Sequence, residues 1–218
     1  MLQKSTVDFL KKLKKNNNRE WFQKNKSVYE EAKADFEKFL NLLIIEISKF
    51  DKSLSGIQAK DCVFRIYRDV RFAKDKSPYK TNFGASLSKN KKEYFKPGYY
   101  IHIEPSGSFL AGGVWMPPAD LINKIRQEID YNTKEFKKII GNKDFKNYFK
   151  ALENQKLKKT PKNYPKDHPE IELLKYTSYI ATHEMKENML TDKKLLQHCA
   201  KTFKAMLPLN EFLRKAIE

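Results

Sequence analysis

The chain has 218 residues and a formal net charge of +17; 40% of its residues are hydrophobic and 33% charged, with 15 Phe and 11 Tyr. That much apolar area offsets chain entropy and excludes a disordered chain. No apolar run reaches the ~18 residues of a membrane span, and the amphipathic start MLQKSTVDFLKKLKK lacks the uninterrupted apolar core of an export signal, so a cytoplasmic protein with no membrane partner is expected.

In chain order, Ser5 with Asp8 resembles a capping box ahead of Phe9, Leu10 and Leu13, predicting a short helix that stops at Asn16, Asn17 and Asn18. Asn18 is placed to cap a second short helix with Trp21 and Phe22, and Ser27 with Glu30 a third. Along that third helix Tyr29, Ala32, Phe36, Phe39, Leu40, Leu43, Ile47 and Phe50 follow steps of three and four, so one face is buried; Asp51 to Gly56 ends it. From Cys62 the period becomes two, with Cys62, Phe64 and Ile66 on one side and Arg65, Tyr67 and Asp69 on the other, predicting a half-buried strand. Residues 70 to 82 contain the turn chemistry Lys74-Asp75-Lys76-Ser77-Pro78, Phe83 to Leu87 reads as a strand, and Lys89 to Pro97 as a basic connection. Tyr99 to Glu104 and Ser108 to Trp115 form a hairpin through Pro105, Ser106 and Gly107, with Gly112-Gly113 marking a bulge or a close backbone approach.

Pro117-Pro118 start a helix carrying Leu121, Ile122, Ile125 and Ile129, Asn132 caps another that stops at Gly141, and a short one covers Phe145 to Leu152. Lys156 to Pro169, with three prolines, reads as a surface loop, and Tyr176 to Met185 alternates as a fifth strand. Thr191 caps a last long helix with Leu195, Leu196, Cys199, Phe203 and Met206, broken at Pro208 before a turn with Phe212 and Leu213. With no repeat and no linker, the expectation is one α+β domain over 1–218, an antiparallel sheet of about four to six strands packed by N-terminal, middle and C-terminal helices.

The chemistry concentrates at CVFRIYRDVRFAKDKSPYKTNFGASL. Arg65, Arg68 and Arg71 are three of the six arginines in a chain that otherwise draws its positive charge from lysine, and they bring a planar fork that lysine lacks. Compositional drift toward lysine explains much of the net charge, whereas clustered arginines resist that explanation. Arg65, Tyr67, Arg68, Asp69, Arg71, Lys74, Asp75, Lys76, Tyr79 and Lys80 are therefore the candidate ligand-binding residues, with forked donors suited to a phosphate or carboxylate. The alternative is internal: Asp69 and Asp75 neutralise the arginines and pin a long loop onto the sheet. A second constellation, Tyr100, His102 and Glu104, shares one face of the third strand, where a His beside a carboxylate is either an acid–base pair or an ordinary polar sheet face. Trp115 and Met116, ahead of the prolines, either cover a pocket or belong to the core.

Several chemistries find no support. His102, His168, His183 and His198 are scattered, Cys62 and Cys199 are far apart, and no HExxH, CxxC, GxxxxGK[ST], GxGxxG or GxSxG occurs, so no metal or cofactor is expected. Two distant cysteines read as buried thiols of a reducing compartment.

The segment FRIYRDVRFAKDKSPYKTNFGA followed by GYYIHIEPSGSFLAGGVWMP resembles a bacterial and fungal family known as domain of unknown function 2461. NNNREWFQKNKSVYE and LKKTPKNYPKDHPEIELLKYTSY resemble that family's flanking blocks. The resemblance implies one full-length conserved domain with no established activity, and it transfers no catalytic residue. Three functional readings stand on the residues alone. One is a domain binding an anionic, phosphate-bearing ligand, a nucleotide or nucleic acid; another is an enzyme using Asp69, His102 or Glu104 on such a ligand. The third is an interaction module whose arginines serve only folding.

Overall fold

The computed structural model describes residues 1–88 and 95–218; most of the basic connection expected over Lys89 to Pro97 lies outside them. The fold is α+β, with a four-stranded antiparallel sheet in the order β1 (Phe83–Leu87), β2 (Gly98–Ile103), β3 (Ser108–Val114) and β4 (Tyr179–Met185). The chain divides into two units, one of Met1–Lys91, Tyr100–Leu110 and Glu184–Lys201, the other of Lys92–Tyr99, Ala111–His183 and Thr202–Glu218.

In the first unit α1 (Lys4–Lys15) packs on α3 (Lys26–Ser48), and α3 packs on α4 (Ala59–Cys62) and on β1. The periodic face of α3 is buried as its sequence predicts, through Ala32, Phe36, Phe39, Leu40, Leu43 and Ile47. Each such Leu, Ile or Phe contributes about 1.5 to 3 kcal/mol on leaving water. Between the helices and β1 sits an aromatic cluster in which Phe83 lies 5.5 Å from Phe36, 6.3 Å from Tyr29 and 6.3 Å from Phe9. Burial there pushes the Tyr29 hydroxyl up to about 12.

The capping expectations meet mixed outcomes. Asn18 caps α2 (Arg19–Lys24), its Oδ1 accepting the Trp21 N–H at 2.9 Å. Ser5 caps nothing: α1 begins after Gln3, whose own N–H donates to Asp35 Oδ2 at 2.9 Å, while Thr6 Oγ1 donates to the same oxygen at 2.6 Å. A carboxylate from α3 thus does what a local capping box was expected to do. Ser27 likewise lies inside α3, which starts after Asn25 at the end of α2.

The second unit contains α5 (Ala119–Tyr131), α6 (Thr133–Gly141), α7 (Lys143–Phe149) and α8 (Ile171–Leu174). Buried Arg126 ties α5 to the end of α8 and the residues just past it, its Nε donating to the Leu174 carbonyl at 2.7 Å and its Nη2 to that of Tyr176 at 3.2 Å. The last helix, α9 (Leu195–Ile217), starts past Thr191, which lies in a 3-10 turn over Glu187–Thr191. Nor does Pro208 break it. A proline inside a helix costs ~3 kcal/mol, but Leu209, Asn210, Phe212 and Leu213 beyond it are all buried, and that burial outweighs the lost hydrogen bond. Asn210 then donates to the Gly98 carbonyl at 3.0 Å and accepts the Gly113 N–H at 3.0 Å. The glycine pair does mark a close approach: a Cβ on Gly112 would stand 2.5 Å from Met206, and one on Gly113, whose φ is +106°, 2.0 Å from the Tyr179 carbonyl oxygen.

The strand expected from Cys62 is corrected. Cys62 ends α4, and residues 63 to 67 pair with 79 to 85 only through two isolated antiparallel bridges, Val63 with Ala85 and Tyr67 with Tyr79. Four residue steps on one side face six on the other, so a continuous ladder is impossible and the surplus bends out at Thr81 and Asn82. The alternation itself is real, with Cys62 and Ile66 buried and Arg65, Tyr67 and Asp69 exposed.

Candidate functional site

The loop closed by the Tyr67–Tyr79 bridge buries none of its own residues from 68 to 78, yet side chains hold it at many points. Arg71 grips Asp69 at two points, Nε to Oδ1 at 3.0 Å and Nη2 to Oδ2 at 2.7 Å. Arg68 Nη1 donates to Asp75 Oδ2 at 2.5 Å and to the Ser77 carbonyl at 3.1 Å. Ser77 donates its N–H and its hydroxyl to Asp75 Oδ1 at 2.9 and 2.6 Å, and Lys76 Nζ reaches the Val70 carbonyl at 3.0 Å. Both carboxyls are held at about 2, Asp69 chiefly by the Arg71 hydrogen bond and Asp75 chiefly by Ser77 with Arg68 adding to it. Two of the three arginines thus find their flat anionic partner inside the molecule.

Tyr79 is 2% exposed and stacked on Phe22 at 3.9 Å between ring centroids, so its ring is part of the core. Tyr67, 51% exposed, leans on it at 5.4 Å. The side chains of Arg65, Lys74 and Lys80 have no hydrogen bond or ion pair among the described residues. Lys80 is half-buried with its ammonium 5.4 Å from the centre of the Phe64 ring, and burial first, then the charge of Arg65, lowers its proton affinity.

Alternation along β2 puts Tyr100, His102 and Glu104 on one half-buried face. The Tyr100 hydroxyl lies 3.0 Å and Asn82 Nδ2 3.3 Å from His102 Nδ1, while His102 Nε2 lies 3.4 Å from Glu104 Oε2. An amide nitrogen only donates, so Nδ1 is the acceptor and the imidazole proton sits on Nε2, facing the carboxylate. Thr81 Oγ1 donates to Glu104 Oε1 at 2.7 Å, and Lys14 Nζ stands 3.7 Å from the same oxygen. Phe109 stacks on the imidazole at 4.7 Å. Burial lowers the His102 pKa, Glu104 opposes that, and the charge of Lys80 adds to it; burial alone pushes the Tyr100 hydroxyl up to about 12. A hydroxyl, a neutral imidazole and a carboxylate in series can hold and move a proton.

The candidate residues therefore fall into three groups. Arg68, Asp69, Arg71, Asp75 and Lys76 brace the loop, Tyr79 with Tyr67 anchors it, and Arg65, Lys74 and Lys80 remain open. Asp69 bonds Arg71, whereas the partners of His102 are Asn82, Tyr100 and Glu104; of the loop's cations it is Lys80 whose charge reaches the imidazole. Thr81, Asn82 and Lys14 were not legible as members of this network, because only the surplus residues of the hairpin turn Thr81 and Asn82 onto it. Trp115 and Met116 lie in none of these groups and are exposed, at 48% and 62%, rather than core.

Among the described residues, no group of three or more His, Cys, Asp or Glu side chains is placed to hold a metal ion, and no helix is long and apolar enough to cross a membrane. No curated protein and no solved structure gives a significant match to the chain. A family model described as "Conserved hypothetical protein (DUF2461)" matches residues 5–212 of the 218, and the chain belongs to that family.

Proposed function

We propose that the hairpin over residues 63–85 binds an anionic, phosphate-bearing ligand, a nucleotide or nucleic acid, through Arg65 and Lys80 with Lys74 assisting. The observation that carries this reading is Lys80: a half-buried ammonium that feels the charge of Arg65 and rests on the Phe64 ring, with no carboxylate partner among the described residues. Arg68 and Arg71 each have an aspartate, so the contrast lies within one short segment. A phosphate would supply the missing charge in a setting where desolvation makes the attraction strong. Arg68, Asp69, Arg71, Asp75, Lys76 and Tyr79 shape the site without touching the ligand. The chain works as one domain over 1–218, a reading supported by a family match that spans both units, and it works in the cytoplasm, where cysteines stay thiols. Titration with nucleotides and short oligonucleotides at two salt concentrations tests the binding. Affinity falls as salt rises and drops further in Lys80→Ala and Arg65→Ala; no binding at low salt overturns the reading.

A second reading, an enzyme acting on that ligand, is favoured by the Tyr100, His102 and Glu104 series. His102, neutral at pH 7, would be the base with Glu104 orienting it, and Asp69 takes no part because a carboxylate held at about 2, with both oxygens gripped by Arg71, is a poor proton acceptor. Turnover of a bound nucleotide that vanishes in His102→Gln while binding persists is the outcome this reading requires.

A further inference from the structure

Phe72 is 96% exposed, the most exposed of the large hydrophobic side chains among the described residues. It sits at the middle of a loop that buries nothing of its own from 68 to 78 and is nevertheless braced by Arg68 on Asp75, Arg71 on Asp69, and Lys76 on the Val70 carbonyl. The guanidinium carbon of Arg71 lies 5.9 Å from the Phe72 ring centre, and Lys74 comes two residues later with no partner among the described residues. Folding gains nothing from holding an aromatic ring in water, so the bracing has its use outside the fold.

We propose that Phe72 is a stacking platform for the unpaired bases of single-stranded nucleic acid, with Arg65, Lys74 and Lys80 taking the backbone phosphates. The proposal rests on the anion site assigned above and names the ligand class for it. A flat ring beside cations on an open loop suits a polymer whose bases splay outward, since every base offers a face to stack on. A mononucleotide, by contrast, needs a concave pocket to bury most of its surface, and a ring this exposed offers none. In a duplex the base faces are already stacked on one another and are closed to Phe72. The net charge of +17 adds long-range attraction for a polyanion.

Fluorescence anisotropy with a labelled single-stranded oligonucleotide of about a dozen bases, a length in the usual site-size range, tests the proposal on the full chain, with inorganic polyphosphate and the matching duplex as competitors. Phe72→Ala is expected to weaken oligonucleotide binding by about tenfold, the scale of one lost base stack, while polyphosphate binding stays unchanged and Phe72→Trp restores the oligonucleotide. The exposure of Phe72 means the substitution leaves the fold intact, which circular dichroism checks. If Phe72→Ala binds the oligonucleotide as tightly as the parent, or if the duplex competes as well as the single strand, the stacking role is overturned and the ring is left for a protein partner, while the anion site stands on polyphosphate binding that Lys80→Ala removes. If neither oligonucleotide nor polyphosphate binds at low salt, the anion site itself falls and this proposal with it.

Discussion

The Asn17 side chain closes on both backbone groups of Tyr79, its Nδ2 donating to the Tyr79 carbonyl at 2.8 Å and its Oδ1 accepting the Tyr79 N–H at 3.1 Å. One carboxamide from the end of α1 thereby fixes the base of the braced loop. Asn17→Ala leaves two part-buried backbone groups unpaired and is expected to lower stability by about 1 to 3 kcal/mol. Urea unfolding checks it: the midpoint falls while the slope is unchanged. Asn17→Asp keeps the acceptor and loses the donor, so it should fall between the two.

This clamp illustrates what the sequence hides. The run Asn16-Asn17-Asn18 reads correctly as a helix stop, and Asn18 as a cap, because those are local functions of short amide side chains. That Asn17 reaches 62 residues along the chain has no local signature. α3 was legible for the opposite reason, since a periodic apolar face reports burial directly. The strand expected at 62–69 fails because alternation reports which side chains face water and says nothing of whether the backbone keeps a ladder. The arginine cluster was legible as a place and not as a mechanism: spacing alone could not assign Arg68 and Arg71 to Asp75 and Asp69 while leaving Arg65 open. Phe72 lay in plain view among those charges, but its exposure is a property of the folded loop.

The His102 imidazole gives a pH dependence with a definite sign. Its folded pKa lies below the ordinary 6.5 because burial disfavours the charged ring. The unfolded chain therefore takes up the proton first as pH falls, and stability is lost from about pH 6.5 downward until the folded pKa is passed. Unfolding of the parent and of His102→Gln at pH 7.5 and pH 5 should show the variant losing less on acidification. An imidazole resonance titrating at or above 6.5 would contradict the assignment.

Gly84 offers a way to disturb that network from the neighbouring strand. A Cβ there would stand 2.6 Å from the Tyr100 hydroxyl oxygen, the far end of a side chain. Gly84→Ala should therefore displace the hydroxyl from His102 Nδ1 at a cost of about 1 kcal/mol, the scale of one hydrogen bond. The checks are a shifted His102 titration alongside a thermal midpoint lowered by about 2 to 4 °C.

The loop braces should fail in acid before the core does. Asp69 and Asp75 have folded pKa values of about 2 against an ordinary 3.8, so their contribution is complete above the ordinary value and is lost as pH falls through about 2. Amide resonances of residues 69–77 followed from pH 5 to pH 2 should broaden or shift together over that interval. In Asp75→Asn the resonances of Ser77 and Arg68 should already sit at the acid position at pH 5.

The unequal arms of the hairpin carry a consequence for chain length. Were the 79–85 arm two residues shorter, it would match the 63–67 arm step for step and zip into an ordinary ribbon, with nothing left over to lean across β2. Such a deletion mutant would retain every polar group of that face except the two that lock the imidazole and its carboxylate in place. Spacing then matters here as much as residue identity, and an insertion or deletion between Tyr79 and Ala85 would turn Thr81 and Asn82 away from Glu104 and His102.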